Sequence, residues 1–350
     1  MNNRFQRHSA VATALLAMST LGHAQTTAPP STATAGALEV FNGPKSKKLT
    51  PPMYPIGERF DENEGWVNLH FMVAPDGKPY EITVGDSTGN KRFEEIAVKT
   101  AQDWQFDPAT INGVPIDAGY AIKVTFRMTD AAKGASSDFV SAYRKVMRAV
   151  QAKDRAAADA AMSKLKVTNL YEDAYINIAR FSYAVVWQDK AQQLAALTRA
   201  IAHEESASYL PKDVFRKALV GMLQLQAEAQ DYAGLLATWK TANDAGVDKE
   251  TLSYWEPIIA KVHALKKDSR AYAVTGTVGS DSSWDYTLFK NNFKIEVASG
   301  HIAEIKLRCE KQYVFFKFDP TMLYTINERY GSCEMEAIGD PGTHFTLIQS

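Results

Sequence analysis

Between residues 138 and 268 the chain carries only two prolines, Pro211 and Pro257, and its apolar residues recur at helical spacing. Phe139, Tyr143, Val146 and Val150 make one stripe, and Tyr171, Ala174, Ile178, Phe181 and Val185 make the next. Leu219 and Leu223, then Leu235, Leu236 and Trp239, repeat the pattern, with turns near Lys153-Asp154, Gln188-Asp189, Gln230-Asp231 and Gly246-Val247. A block of this kind buries itself helix against helix, so the segments flanking it must find cores of their own. On both sides the apolar period falls to two, the signature of strands. A chain of 350 residues suits two or three domains, and the composition divides it accordingly into a multi-domain α+β protein.

The first folded unit is predicted over 51–128. Val67, Leu69, Phe71 and Val73 alternate with Asn68, His70 and Met72, so one strand face is apolar and the other mixed. Pro75-Asp76-Gly77-Lys78 is turn chemistry, and Tyr80, Ile82 and Val84 form the returning strand. Asn90–Asp103 places Phe93, Ile96, Ala97 and Ala101 on one helical face, with Trp104 continuing it. A last strand sets Ile122, Val124 and Phe126 on one side. The expectation is a β-β-α-β unit with its helix over the apolar face of the sheet.

Several short motifs in this unit occur in a fixed order. Tyr54-Pro55 precedes Glu64-Gly65-Trp66-Val67, then the Asp76-Gly77 turn and Ser87-Thr88-Gly89. Trp104-Gln105-Phe106-Asp107-Pro108-Ala109 and Asn112-Gly113-Val114-Pro115 follow. Residues 52–128 thereby resemble the carboxy-terminal domain of the TonB family. The resemblance implies a non-enzymatic protein of the periplasm that binds envelope or outer-membrane polypeptides, such as a TonB-dependent receptor, through an edge strand. On this chain the matching strand is Tyr120–Arg127, with Tyr120, Ile122, Val124 and Phe126 on the apolar side and Lys123, Thr125 and Arg127 alternating with them. The chain departs from the family where Ile56-Gly57-Glu58 and the acidic Asp61–Glu64 stretch replace the small-residue helix that follows Tyr-Pro.

The amino terminus reads as an export signal over residues 1–24. Arg4 and Arg7 are followed by the short apolar run Ser9–Leu21 and by Gly22-His23-Ala24, with Gln25 as the new terminus. The run is shorter than the roughly 20 apolar residues that a spanning helix needs. Residues 25–50 are rich in Thr, Ala and Pro and read as a flexible leader. Net charge is −1, and removal of the signal leaves 37 basic against 40 acidic residues, so no basic footprint for nucleic acid exists. A stable membrane anchor is not expected once the signal is removed. The alternative is an uncleaved signal segment and a membrane-anchored energy transducer for receptor-mediated uptake.

Residues 129–137 read as a linker, 138–268 as a tetratricopeptide-like helical repeat domain, and 270–350 as a small all-β sandwich or barrel. Cys309 and Cys333, the chain's two cysteines, fall on inward-facing strand positions and are expected to form one structural disulfide. No catalytic constellation is visible. His203-Glu204 opens an H-E-x-x-H pattern, but Ala207 stands at the second ligand position, so no metal site is expected. His70 sits on the more polar sheet face, and the Ser280–Ser283 turn lacks the strand-to-helix context of a nucleophile elbow. No cofactor is implied. A further alternative is a cell-envelope hydrolase with an unrecognised site in the β domain.

Overall fold

The described residues of the computed structural model begin with backbone pairing in a segment expected to be part of a flexible leader. The structure describes residues 40–128, 134–202 and 209–350. The signal segment with Ala24 and Gln25, most of the leader, and His203-Glu204 lie outside the described residues. Strands β1 (Phe41–Asn42) and β2 (Lys45–Lys48) are therefore a correction to the leader's end at residue 50. They pair antiparallel with β6 (Ala109–Ile111) and β5 (Gln105–Asp107), which follow the helix α2 described below. The Trp104 indole N–H donates to the Thr50 carbonyl at 2.8 Å and fixes the same segment.

The first domain is built on a three-stranded antiparallel sheet. A short helix α1 (Ile56–Phe60) leads into β3 (Gly65–Val73), β4 (Pro79–Ser87), helix α2 (Lys91–Ala101) and, beyond β7 (Val114–Ile116), β8 (Ala118–Phe126). The strand order is β4-β3-β8. Val67, Leu69, Phe71 and Val73 bury themselves against Phe93, Ala97, Ala101 and Trp104, as the alternation demanded. Asn90 caps α2 by accepting from the backbone N–H groups of Arg92 and Phe93, a cap that contributes about 1 kcal/mol. The β6–β7 hairpin turns through Asn112 and Gly113, both at positive φ, as a two-residue turn of its kind requires.

One feature of β4 differs from its sequence pattern. Tyr80, Ile82 and Val84 alternate as if they shared a face, but the register shifts between His70 and Met72 of β3. Glu81 occupies the left-handed region at φ 49°, which adds one residue to the strand. Ile82 and Val84 stay in the core, whereas Tyr80 and Glu81 both turn to the opposite face.

Among the described residues the central block comprises seven helices: α3 (Ser137–Gln151), α4 (Arg155–Met162), α5 (Leu170–Val186), α6 (Lys190–Ala200), α7 (Lys212–Glu228), α8 (Tyr232–Asp244) and α9 (Lys249–Lys267). The first six pack as three successive hairpins. Each hairpin turns the same way. Lys153, Gln188 and Gln230 take positive φ, and the following Asp154, Asp189 and Asp231 cap the return helix with a side-chain carboxylate.

The last domain is a β-sandwich. Its strands are β9 (Tyr272–Thr277), β10 (Ser283–Thr287), β11 (Asn292–Ser299), β12 (Ile302–Cys309), β13 (Gln312–Lys317), β14 (Tyr324–Thr325), β15 (Cys333–Gly339) and β16 (His344–Gln349). They form two antiparallel sheets, β10-β15-β12-β13 and β14-β11-β16-β9. Phe293, Ile295, Ile305, Met335, Phe345 and Leu347 fill the space between them. Cys309 and Cys333 face each other directly across β12 and β15 and are joined by a disulfide, so the bridge ties neighbours within one sheet.

Candidate partner-binding edge

β8 is the last strand of its sheet. It pairs with β3 from Gly65↔Phe126 to Val73↔Ala118, and no strand among the described residues lies on its other side. Tyr120, Ile122, Val124 and Phe126 turn toward α2 and the core, while Ala121 and Thr125 are exposed on the opposite face. Of the charged residues that alternate along the strand, Lys123 is half-buried and Arg127 exposed, and both reach toward the helical block. Lys123 reaches back over the Trp66 ring and donates to the Ala202 carbonyl, and Arg127 donates to the Tyr209 hydroxyl at 2.7 Å. Both side chains are drawn to the helical block because the second face of the sheet is itself an interface.

That face is covered at both ends. Toward the helical block, Trp66 is buried and its indole N–H donates to Asp173 of α5 at 3.3 Å. Glu64, from the acidic stretch, accepts from the backbone of Met128 and of Leu170, and its own N–H donates to Thr168. Asp86 at the end of β4 pairs with Arg199 of α6 at 2.7 Å. Toward the sandwich, His70 Nδ1 meets Glu334 at 2.9 Å, Lys306 pairs with Glu81 at 3.0 Å, and Tyr80 packs edge-on against Tyr313. Gly119 lies so close to the sandwich that a methyl there would sit 2.9 Å from the Cys309 carbonyl oxygen.

Electrostatics follow from this crowding. The hydrogen bond that His70 donates to Glu334 raises it above the ordinary histidine value, against the opposing effect of burial. Glu334 resists burial through the same bond and is held below the usual carboxylate range. Asp285 stands directly across β10 and β15 from Glu336; loss of solvation, then Glu336 and Glu334, push it up to about 6. On the far side of the domain Glu58 is buried, yet side-chain bonds from Asn63 and Asn90 and the Arg92 charge hold its carboxyl low. α1 thus turns its glutamate inward and leaves Ile56 and Phe60 exposed.

The motif residues build the frame around β8. Tyr54 sits edge-on to Phe93 and Phe126 and donates to the Asn63 carbonyl, with Pro55 capping α1. Gly65 admits Thr88 and Phe93 where a Cβ would clash at 2.5 and 2.7 Å. Asp76 accepts from the Lys78 N–H, and Gly77, at φ 82°, passes under the Phe106 carbonyl. Phe106 and Trp104 close on Phe71, Pro108 separates β5 from β6, and Gly113 makes the hairpin turn. None of them lines the open edge. What the sequence did not disclose is the neighbouring sandwich surface; the one available sign was the run of charges, Lys306, Arg308, Glu334 and Glu336, alternating with that domain's core residues.

Within the helical block a cavity of ≈ 420 Å³ lies between α4, α5 and α6, with Arg180, Tyr183, Gln192 and Arg199 in its walls. Arg180 donates to Asn177 at 3.0 Å, and Asn177 is itself buried. His344 bonds to Thr277 on the sandwich surface. Among the described residues no helix is long and apolar enough to cross a membrane.

The helix-backed sheet has two outer strands, β4 and β8, each paired only with β3 among the described residues, and is joined to helical hairpins and a sandwich. Residues 50–128 match the family model of the Gram-negative bacterial TonB protein C-terminal domain, which bears out the resemblance of 52–128. The match to Protein TonB of Haemophilus ducreyi is 32% identical over 74 residues, 21% of this chain and 26% of that protein. Protein TonB of Xanthomonas campestris pv. campestris is 28% identical over 83 residues, 24% of this chain and 37% of that one. The chain spans about a quarter to just over a third of these relatives' length. Two solved structures are also similar. The TonB C-terminal domain of Pseudomonas aeruginosa, in solution, is 23% identical over 26% of this chain and 91% of that one, with a TM-score of 0.24. The TonB2 protein of Vibrio anguillarum is 24% identical over 31% of this chain and 100% of that one, with a TM-score of 0.21.

Proposed function

We propose that the protein is a non-enzymatic periplasmic component of TonB-type transport that captures an extended segment of an envelope or outer-membrane partner by strand addition to β8. One observation carries this reading: among the described residues β8 pairs along its nine residues with β3 alone, so its outer side is an edge to which another strand can be added. The TonB resemblance supports the choice of partner, an extended segment of a TonB-dependent receptor. The helical hairpins, read as a tetratricopeptide-like array, offer a second binding surface in the cavity at Arg180. Transport itself then depends on a further protein that supplies energy, because the reading gives this chain an export signal that is removed.

Hydrogen exchange tests the edge. An extended peptide from such a receptor should slow exchange of the outward-facing amides of β8 from Ala121 to Phe126. Unchanged exchange there at saturating peptide overturns strand addition.

A further inference from the structure

The open edge of β8 runs into a pocket shared with the sandwich. The pocket has a volume of ≈ 290 Å³, with His70, Gly119 and Ala121 on one wall and Arg308, Ser332 and Glu334 on the other. That is at the small end of the roughly 300–1,000 Å³ typical of small-molecule sites, and suits a single side chain better. Its position relative to the edge follows from register. Ala121 and His70 are cross-strand partners and turn to the same face of the sheet. A residue of an added strand paired with Ala121 shares that face, because neighbours at one level across a sheet point the same way. Ala121 has no bulk to keep such a residue out of the pocket.

The chemistry of the pocket centres on Arg308, which is only 6% exposed. Its Nη2 is held by Glu336 at 2.5 Å, but its buried Nε has no acceptor among the described residues. A buried donor left unbonded is costly, and an incoming oxygen removes that cost. The surrounding charge selects which oxygen. Glu81 lies 3.9 Å from Arg308, Glu334 is engaged by His70, and Asp285 faces Glu336, so acids outnumber the cations Arg308, Lys306 and His70. A second carboxylate would be repelled, whereas a neutral carbonyl would not.

We propose that this pocket receives a carboxamide side chain, glutamine or asparagine, from the strand captured on β8, and that the sandwich is thereby the second wall of the binding site. The amide oxygen accepts from Arg308 Nε, and the amide N–H groups face the acceptors that remain. This assignment rests on the strand-addition reading and adds to it the selection of one residue.

The test uses the full chain and short, extended, fluorescein-labelled Thr/Val peptides that carry Gln, Leu, Glu or Lys at one position, with binding followed by anisotropy. The Gln peptide should bind roughly tenfold tighter than the Leu peptide. Arg308→Lys, and separately Ser332→Trp, which fills the pocket from its exposed rim, should each abolish that preference, so that Gln and Leu peptides bind alike. Equal binding of Gln and Leu peptides with β8 amides protected overturns the pocket alone, as does a preference that survives in both variants. Tightest binding of the Glu or Lys peptide overturns the carboxamide assignment. Failure of every peptide to bind, with β8 amides unprotected, overturns strand addition and the pocket together.

Discussion

Gly77 shows how a single position can be fixed by backbone alone. Its φ of 82° belongs to a region costly for any side chain, and a Cβ would stand 2.1 Å from the Phe106 carbonyl oxygen. Gly77→Ala should therefore destabilise the first domain by at least about 2 kcal/mol, read from the denaturant midpoint. His70 and Glu334 make a different kind of prediction, one about pH. The folded value of His70 is raised from 6.5, so its contribution is complete below that value and is lost as pH rises through the raised one. Glu334 is lowered from 4.5, so its contribution is complete above that value and is lost as pH falls through the lowered one. The stability difference between the wild type and His70→Leu should be largest between pH 4.5 and 6.5 and shrink on both sides. A flat difference across that range would show that the pair does not titrate with folding. Arg308 and Asp285, which also face His70, act on it in opposite directions.

At the scale of elements, the strands and helices that sequence made legible are those with enough length to show a period. Val67 to Val73 and Ile305 to Cys309 alternate cleanly, and Phe139 to Val150 keeps helical spacing. β1 and β14 have two residues each and offer no period, while β2 is Lys45-Ser46-Lys47-Lys48, exposed throughout, and so read as leader. The bulge in β4 escaped for another reason: glutamate is not a residue that announces a positive φ. The disulfide was visible because both cysteines fell on inward positions of alternating strands. It closes a loop with a sequence separation of 24, which in the chain-entropy account stabilises the sandwich by roughly 3 kcal/mol. The Cys309→Ser, Cys333→Ser double variant should lose about that much in chemical denaturation.

At the scale of the molecule, the sheet of the first domain is a shared wall, with α2 on one face and two other domains on the opposite one. No local pattern encodes that arrangement, because Trp66 and Asp173, or Glu81 and Lys306, lie far apart along the chain and each looks ordinary where it stands. Charge reversal tests the sandwich contact. Glu81→Lys should loosen the docking and speed limited proteolysis between the first domain and the sandwich, and Glu81→Lys combined with Lys306→Glu should restore it. Failure of the double variant to recover would mean that the ion pair is incidental to docking.

The extra residue at Glu81 has a consequence of parity. Between the Gly77 turn and Thr83, the register of the backbone, more than the identity of the residues, decides which side chains look outward. Straightening Glu81 into the ordinary extended region without removing a residue would carry Tyr80 from Met72 to Val73, into the interior, and the sandwich would lose its aromatic foothold. A β4 without that residue would keep Tyr80 opposite Met72 and facing outward, and would give up only the carboxylate that meets Lys306.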